Sequence, residues 1–295
     1  MGARRFIRRR LSVQVNTLTV NSDRLPLALH DYGGDGPAVL FVHGFLDGGK
    51  SFEDVALAAR EFCRPMCLDW RGHGDSAQVV DGSYHQFDHF KDLLAVMDEQ
   101  PAGAAFDCVV AHSLGGTVAL MLAAAAPELF KKLMLLDCLG GYAADAETQV
   151  NQFSDVVAHL RQPQKGFRDF DTRASAESRV KHNNSMLSDV GAERIVRHYL
   201  DELPDGKFRV KLDPRLRGPN PIRYSEEHWQ EMVRRVACRT TVIAPEGGYM
   251  QRHPQGRERF ECLTDGKWVS VPGIGHHVHA EVPELVVSEL RELLF

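Results

Sequence analysis

The chain has 295 residues, of which 43% are hydrophobic and 25% charged, a composition typical of a globular enzyme with a substantial core. Its formal net charge is −5, and residues 1–10 hold five arginines and no acid, so the remainder is more acidic than the whole. An acidic body argues against nucleic acid as the main partner. The longest apolar run, VALMLAAAA, is shorter than the ~20 residues that span a bilayer. We therefore expect a cytoplasmic protein with no membrane span.

The Arg-rich residues 1–10 precede an alternating, strand-like segment, whereas a secretory signal needs a continuous apolar stretch there. This pattern favours a solvated tail, and contact with an anionic surface is the alternative. Six cysteines in a chain of this length do not indicate a disulfide scaffold, so we expect small buried thiols in a reducing compartment. Cys63 and Cys67 have no second pair of ligands nearby, which argues against a zinc site.

The first half of the chain alternates predicted strands and helices. Residues 12–20 and 25–33 predict an antiparallel pair of strands, and Ser51, with Asp54 three residues later, is predicted to begin the first helix. Continuous apolar runs then predict buried strands, with amphipathic segments between them. The strands are predicted at 37–44, 64–72, 106–111 and 131–137, and the helices at 51–62, 87–100 and 114–126. This order implies a parallel sheet with right-handed crossovers.

The alternation stops near residue 141, and up to residue 235 the sequence is polar, mostly helical in pattern and without a buried strand. It resumes with predicted strands at 239–245 and 267–273 and helices at 255–263 and 283–295. We therefore predict a core domain formed by residues 1–140 and 236–295. A helical cap at 141–235 interrupts this core.

The segment VVAHSLGG places Ser113 between a predicted strand and a predicted helix. This is the context of a nucleophile elbow, a strained turn beside which only small residues fit. Gly115 satisfies the pattern Gly-x-Ser-x-Gly, and Ala111 replaces its first glycine. The alternative is that Ser113 only caps the helix that begins at Leu114.

Together these segments resemble the α/β-hydrolase superfamily with a helical cap. Three further segments resemble its ordered motifs: FVHGFLD at 41–47, LDWRGHGDS at 68–76 and VPGIGHHVHAEVPELV at 271–286. RVKLDPRLRGPNPIRY and APEGGYM are most similar to the serine-hydrolase-like branch, a group of presumed esterases. The resemblance implies an α/β-hydrolase fold, with a mostly parallel twisted sheet flanked by helices and an inserted helical cap.

A serine nucleophile needs an imidazole that takes its proton and returns it to the leaving group. The resemblance implies that His276 is this base. His276 begins the cluster HHVH at 276–279, but no carboxylate or cysteine stands at a local spacing that suits a metal, so we expect no metal site. By resemblance His43 and His73 are structural, and His112 lines the pocket or bonds to backbone.

Two backbone N–H groups are needed to stabilise the oxyanion of acyl transfer, and the loss of one typically costs ~3 kcal/mol. Leu114, the residue after the nucleophile, is expected to supply the first. The resemblance implies that Phe45, directly after His43 and Gly44, supplies the second.

The acid of the triad has two candidates, because the superfamily places it after either of two strands. Asp137 ends a predicted buried strand, and catalytic groups gather at this edge of an open sheet. Glu246 is the only acid in the turn PEGGYM. We favour Asp137, which gives the order Ser113, Asp137, His276 that the fold requires. Asp69 and Asp75 belong to the DWRGHGDS loop and are expected to be structural.

The cap is expected to cover the site and shape its pocket. Three of its arginines, Arg215, Arg217 and Arg223, either recognise an anionic substrate or are solvated and paired. Its apolar side chains either face the acyl group or pack within the cap: Phe153, Phe167, Phe170, Met186, Leu187 and Trp229.

These observations predict a serine hydrolase that cleaves a carboxylic ester or related acyl compound through an acyl-enzyme, with no metal or organic cofactor. Its expected partner is a small-molecule acyl or ester substrate. The alternatives are a hydrolase of a carbon–carbon bond, lactone or thioester with the same triad, or a ligand-binding protein that retains the fold without catalysis.

Overall fold

The computed structural model describes residues 14–99, 105–253 and 255–295, so the predictions for the Arg-rich residues 1–10 lie outside the described residues. Eight strands form one sheet in the order β1-β2-β4-β3-β5-β6-β9-β10. They are β1 (Asn16–Ser22), β2 (Leu25–Asp31), β3 (Ala38–Val42), β4 (Arg64–Leu68), β5 (Cys108–His112), β6 (Lys132–Leu136), β9 (Arg239–Pro245) and β10 (Gly266–Val271). β2 pairs antiparallel with β1 and β4, and the other pairs are parallel. The predicted α/β sheet is confirmed.

The parallel strands are apolar because helices cover both faces of the sheet. Every residue of β3 and β5 is buried. Alternate residues of a strand point to opposite faces, so Val109 and Val110 belong to separate hydrophobic clusters. The helices of the core are α1 (Glu53–Ala59), α2 (Gln86–Glu99), α3 (Leu114–Ala125), α8 (Tyr249–Arg252), α9 (Gly256–Glu261), α10 (Val278–Glu281) and α11 (Pro283–Leu294).

Ser51 does not begin a helix, contrary to the sequence prediction. A 3₁₀ turn spans Gly49–Phe52, and α1 starts after it. The Ser51 hydroxyl donates to Oδ2 of Asp47 at 3.0 Å, so the hydroxyl that was expected to cap the helix binds a nearby side chain instead.

Residues 141–235 are inserted between β6 and β9, and four α-helices make up a little under half of them. The helices are α4 (Ala146–Leu160), α5 (Arg173–Asn183), α6 (Asp189–Val196) and α7 (Glu226–Arg234). The sequence pattern indicated no buried strand here, and neither strand of the segment is buried along its length, but β7 (Leu200–Glu202) and β8 (Phe208–Val210) form a short antiparallel hairpin that the pattern did not predict. Its turn contains Gly206 at φ 80°, and the sequence Pro-Asp-Gly is typical of such a turn.

The inserted segment is tied to the core by ion pairs between α6 and α1. Nε of Arg194 donates to Asp54 at 2.7 Å, and Arg197 donates to Glu53 and Asp54 at 2.8 Å each. All four side chains are at most 19% exposed, so water screens these pairs less than it does fully exposed ones.

Among the described residues, no helix combines the length and the apolar character needed to cross a membrane.

Candidate active site

Ser113 lies at the junction of β5 and α3 in a strained backbone conformation. Its φ of 51° and ψ of −113° are rare for a residue with a side chain. The Ser113 side chain makes no capping hydrogen bond to α3, so the structure does not support the alternative of a helix cap. A Cβ on Gly115 would lie 2.7 Å from the carbonyl oxygens of Val42 and His43, which explains the small residue after the turn.

The ring of His276 meets the carboxylate of Asp137. Nδ1 of His276 lies 2.5 Å from Oδ2 of Asp137. The backbone amides of Tyr249 and Met250 donate to the same carboxylate at 2.6 and 2.8 Å. The Asp137 side chain is fully buried, so these three partners offset the loss of its hydration.

Glu246, the other candidate acid, makes no hydrogen bond to this ring. Its residue is exposed, and its Oε2 accepts a hydrogen bond from the Gly273 amide at 3.0 Å. The structure thus brings Asp137, and not Glu246, to His276.

Two cavities meet at Ser113. The larger has a volume of about 1020 Å³ and the smaller about 570 Å³, within or close to the usual range for ligand pockets. Phe45, Ser113, Asn184 and His276 line both of them. A molecule with a substantial group on each side of its reacting carbon can therefore reach the serine and the imidazole together.

The two predicted oxyanion donors lie beside this junction. Leu114 is the first residue of α3, and the first N–H groups of a helix have no acceptor within it. The Phe45 amide donates no hydrogen bond within the described part of the chain. The Phe45 side chain is 51% exposed and forms part of the wall of both cavities.

The predicted structural histidines are held by backbone. Nδ1 of His43 lies 2.8 Å from the Gly44 oxygen, and Nδ1 of His73 lies 3.0 Å from the Arg71 oxygen. Nε2 of His112 lies 3.1 Å from the His276 oxygen, so His112 both bonds backbone and lines the larger cavity. Burial lowers the pKa of His43, and it holds the pKa of His73 and His112 well below the ordinary histidine value.

Sequence reasoning missed a buried set of possible metal ligands: Asp47, His112 and His279. One nitrogen of each imidazole and one carboxylate oxygen lie within 4.8 Å of one another. The HHVH segment has no carboxylate at a suitable spacing along the chain, but Asp47, in the loop after β3, lies next to it in space. The Ser51 hydroxyl donates to Asp47 and lies 3.2 Å from Nε2 of His279, so both of these groups already have a hydrogen-bond partner.

The pKa of His277, in the HHVH segment, is also lowered. Burial is the main cause that lowers its pKa to about 3, and the neighbouring His276 and His279 add to it. Burial acts to raise the pKa of the Asp47 carboxyl, but the neighbouring His279, His43 and His277 together outweigh it, so the pKa is lowered.

The DWRGHGDS loop is fixed by its two aspartates. Asp69 lies 2.8 Å from Nε2 of His30 and accepts hydrogen bonds from the amides of Gly49 and Asp75 at 2.6 and 2.8 Å. The Asp75 side chain accepts from Lys50 and Lys211. These contacts hold the loop against β2 and the inserted segment.

The apolar residues singled out in the insertion have different surroundings. Phe167 and Phe170 line the larger cavity, and Trp229 lines the smaller one. Leu187 packs with Ala192, Ile195 and Ala280, and Phe153 is 48% exposed on α4. Met186 lines a small groove beside His276.

The three arginines of the insertion also differ. Arg215 is paired with Asp213, and its Nε donates to Oδ1 at 3.0 Å. Arg217 lies with its guanidinium carbon 4.3 Å from the centre of the Phe167 ring and lines the larger cavity. Arg223 lines the smaller cavity.

The fold and the strained serine turn define a class of proteins, and comparison with known families identifies it. Residues 39–289 match the Alpha/beta hydrolase family, and the chain belongs to this family. Esterase and lipase names occur among its relatives.

Two curated relatives and one solved structure show the range of similarity. A "Serine hydrolase-like protein" of Danio rerio is 27% identical over 88% of this chain and 82% of its own length. The "sn-1-specific diacylglycerol lipase ABHD11" of Mus musculus is 25% identical over 92% and 85%. The crystal structure of hypothetical protein PA1622 from Pseudomonas aeruginosa PAO1 is 28% identical, with a TM-score of 0.83 over 94% of this chain and 97% of that one.

Proposed function

We propose that this hydrolase is a serine hydrolase that cleaves a carboxylic ester or a related acyl bond. The observation that carries the proposal is the 2.5 Å contact between Nδ1 of His276 and the buried Asp137, beside a strained Ser113 in the same cavity. In this proposal Ser113 is the nucleophile, His276 the general base and Asp137 the acid that orients the imidazole.

In the first half of the reaction, Oγ of Ser113 attacks the carbonyl carbon while Nε2 of His276 takes the hydroxyl proton. The carbonyl electron pair moves to oxygen, and the amides of Phe45 and Leu114 stabilise the resulting oxyanion. The tetrahedral intermediate collapses, and His276 returns the proton to the leaving alcohol. Asp137 stabilises the transient imidazolium and does not take the proton itself.

In the second half, a water molecule attacks the acyl-enzyme carbonyl after His276 takes one of its protons. The ester bond to Ser113 breaks, Oγ regains a proton from His276 and the carboxylic acid leaves. No step of this cycle requires a metal or an organic cofactor.

We assign residues 1–140 and 236–295 to the catalytic core and residues 141–235 to a cap that selects the substrate. Support comes from the larger cavity, whose wall combines Ser113 and His276 with residues of α5 and β8.

The cytoplasm is the compartment we propose, because all six cysteines are free thiols and five of them are buried.

The related activities use the same residues. A thioester, a lactone or a carbon–carbon bond next to a carbonyl offers the same attack, so a substrate panel separates these alternatives from an ester. A protein that only binds its ligand would leave the serine without reactivity.

The test is intact mass after treatment with a fluorophosphonate, together with hydrolysis of para-nitrophenyl esters of short and medium chain length. Three proteins are compared: wild type, Ser113→Ala and Ser154→Ala, whose exposed serine lies on α4. We expect one adduct and ester turnover in wild type and Ser154→Ala, and neither in Ser113→Ala.

An adduct that persists in Ser113→Ala would contradict the assignment of the nucleophile. A wild-type protein with neither adduct nor turnover would favour the ligand-binding alternative.

A further inference from the structure

We propose that the smaller cavity is a subsite for an anionic group of the substrate, a carboxylate or a phosphate, and that Arg223 and Arg252 recognise it. The inference rests on the proposed function, because this cavity ends at Ser113 and His276. It extends that function by assigning a charge to one part of the substrate.

Both arginines line the cavity without a carboxylate partner among the described residues. Nη2 of Arg252 lies 3.7 Å from the sulfur of Met186, which is a weak acceptor. The Arg223 guanidinium makes no hydrogen bond or ion pair within residues 14–99, 105–253 and 255–295; only its backbone amide bonds, to Gln149. By contrast, Arg194, Arg197 and Arg259 bind carboxylates at 2.9 Å or less.

The wall of the smaller cavity offers no free negative charge to these arginines. Asp137 is the single carboxylate among the described residues that line it, and its oxygens are engaged by His276 and two backbone amides. Both arginines are exposed and stand toward the solvent side, whereas Asp137 is fully buried. An anion held by the guanidinium groups therefore gains their charge while it stays near water.

Two buried hydrogen-bond donors also belong to this wall. Nε1 of Trp229 and the hydroxyl of Tyr249 have no partner among the described residues, and both side chains line the cavity. Each atom is shielded from solvent here, so a ligand reaches it only after a small movement of a neighbouring side chain. Carboxylate and phosphate oxygens are strong acceptors for such donors.

The larger cavity has no comparable bias. Three arginines line it, and so do three aspartates: Arg168, Arg179, Arg217, Asp47, Asp169 and Asp171. Phe167 and Phe170 add apolar surface. This contrast assigns the apolar part of the substrate to the larger cavity and the anionic part to the smaller one.

The test uses ester pairs of similar size in which one member carries a negative charge and the other is neutral. In the first pair, the nitrophenol leaving group carries a charged carboxylate in one ester and a neutral carboxamide in the other. The second pair consists of mono-para-nitrophenyl adipate, whose acyl chain ends in a carboxylate, and the neutral para-nitrophenyl heptanoate. We expect wild type to prefer one charged ester by about tenfold in kcat/KM, the factor that two exposed charge contacts of modest strength give together. The pair that shows the preference identifies the side of the scissile bond on which the anion lies.

The arginines are tested by the double variant Arg223→Gln/Arg252→Gln, with Arg161→Gln as the matched control, since Arg161 is exposed at the end of α4 and lines neither cavity. The ratio of kcat/KM for the charged ester to kcat/KM for the neutral ester is expected to fall toward one in the double variant and to keep its wild-type value in the control. Inhibition of heptanoate hydrolysis by inorganic phosphate or by propionate distinguishes the two anions. A preference that survives the double substitution, or no preference in wild type, overturns the proposal.

The same comparison is made by calorimetric binding of the charged and neutral esters to Ser113→Ala, which needs no turnover. If wild type hydrolyses nothing but Ser113→Ala binds the charged ester more tightly, the anionic subsite stands and the proposed hydrolysis fails. If the charged and the neutral ester bind equally tightly within each of the two pairs, the subsite is overturned whatever the catalytic result.

Discussion

The carboxylate of Asp137 and the imidazole of His276 are 139 residues apart in sequence and 2.5 Å apart in space. Asp137 directly follows β6 and has a φ of 48°, a backbone conformation that is uncommon for a residue with a side chain. Two backbone amides fix the carboxylate from the other side. The orientation of the imidazole is thus set by a group that cannot itself rotate freely.

Replacement of Asp137 by Asn is expected to lower kcat by about a thousand-fold to ten-thousand-fold, because an amide presents the wrong tautomer of His276 to Ser113. KM should change much less, since the buried Asp137 is engaged by its protein partners. Steady-state kinetics on a para-nitrophenyl ester measure both. Glu246→Gln is the control and should retain wild-type rates; equal rates in Asp137→Asn and wild type would move the role of the acid elsewhere.

The parts of the site that sequence could predict are those whose chemistry is local. The junction of β5 and α3 is visible in VVAHSLGG because the strand, the small residues and the helix all lie within a few positions of Ser113. The eight-stranded sheet follows for the same reason, since each buried strand is a continuous apolar run.

The parts that sequence did not predict depend on contacts between distant segments. Asp47 approaches His279 across more than two hundred residues, and Ser51 bonds both of them instead of beginning a helix. Sequence favoured Asp137 over Glu246, but only the tertiary structure shows which of the two carboxylates lies next to His276. The short β7–β8 hairpin has too few residues for a clear periodic pattern.

The strain at Ser113 leads to a prediction about stability. Glycine adopts positive φ without steric cost, so Ser113→Gly should raise the free energy of unfolding by about 1 kcal/mol while it abolishes fluorophosphonate labelling. Urea denaturation measures the change. Ser154→Gly, at an exposed position inside α4, should instead lower stability by about 0.5 kcal/mol. A destabilised Ser113→Gly protein would show that the turn stores no strain.

Gly248 is predicted to protect the position of Asp137. A Cβ at Gly248 would lie 2.4 Å from Oδ2 of Asp137 and 2.5 Å from Pro245, so Gly248→Ala must displace the carboxylate or the loop. We expect kcat to fall about tenfold or more, because small errors in catalytic geometry are costly. Gly166→Ala is the matched control, since its Cβ would meet nothing within 4 Å. Wild-type kcat in Gly248→Ala would show that the loop adapts freely.

The buried histidines should make stability fall in mildly acidic solution. The pKa of His277 falls from 6.5 to about 3 on folding, mainly because of burial, so between these values the unfolded chain binds a proton that the native protein does not. Stability therefore decreases as the pH drops below 6.5, by about 1.4 kcal/mol per pH unit for each such histidine. Carboxyl groups whose pKa is lowered on folding, such as Asp47, also reduce the free energy of unfolding in acid, but only below about pH 4. Urea unfolding at pH 7.0 and 5.0, chosen around this window, should show a smaller loss in His277→Gln than in wild type. His228→Gln, at an exposed position, should keep the wild-type dependence, and an unchanged loss in His277→Gln would assign the pH effect to other groups.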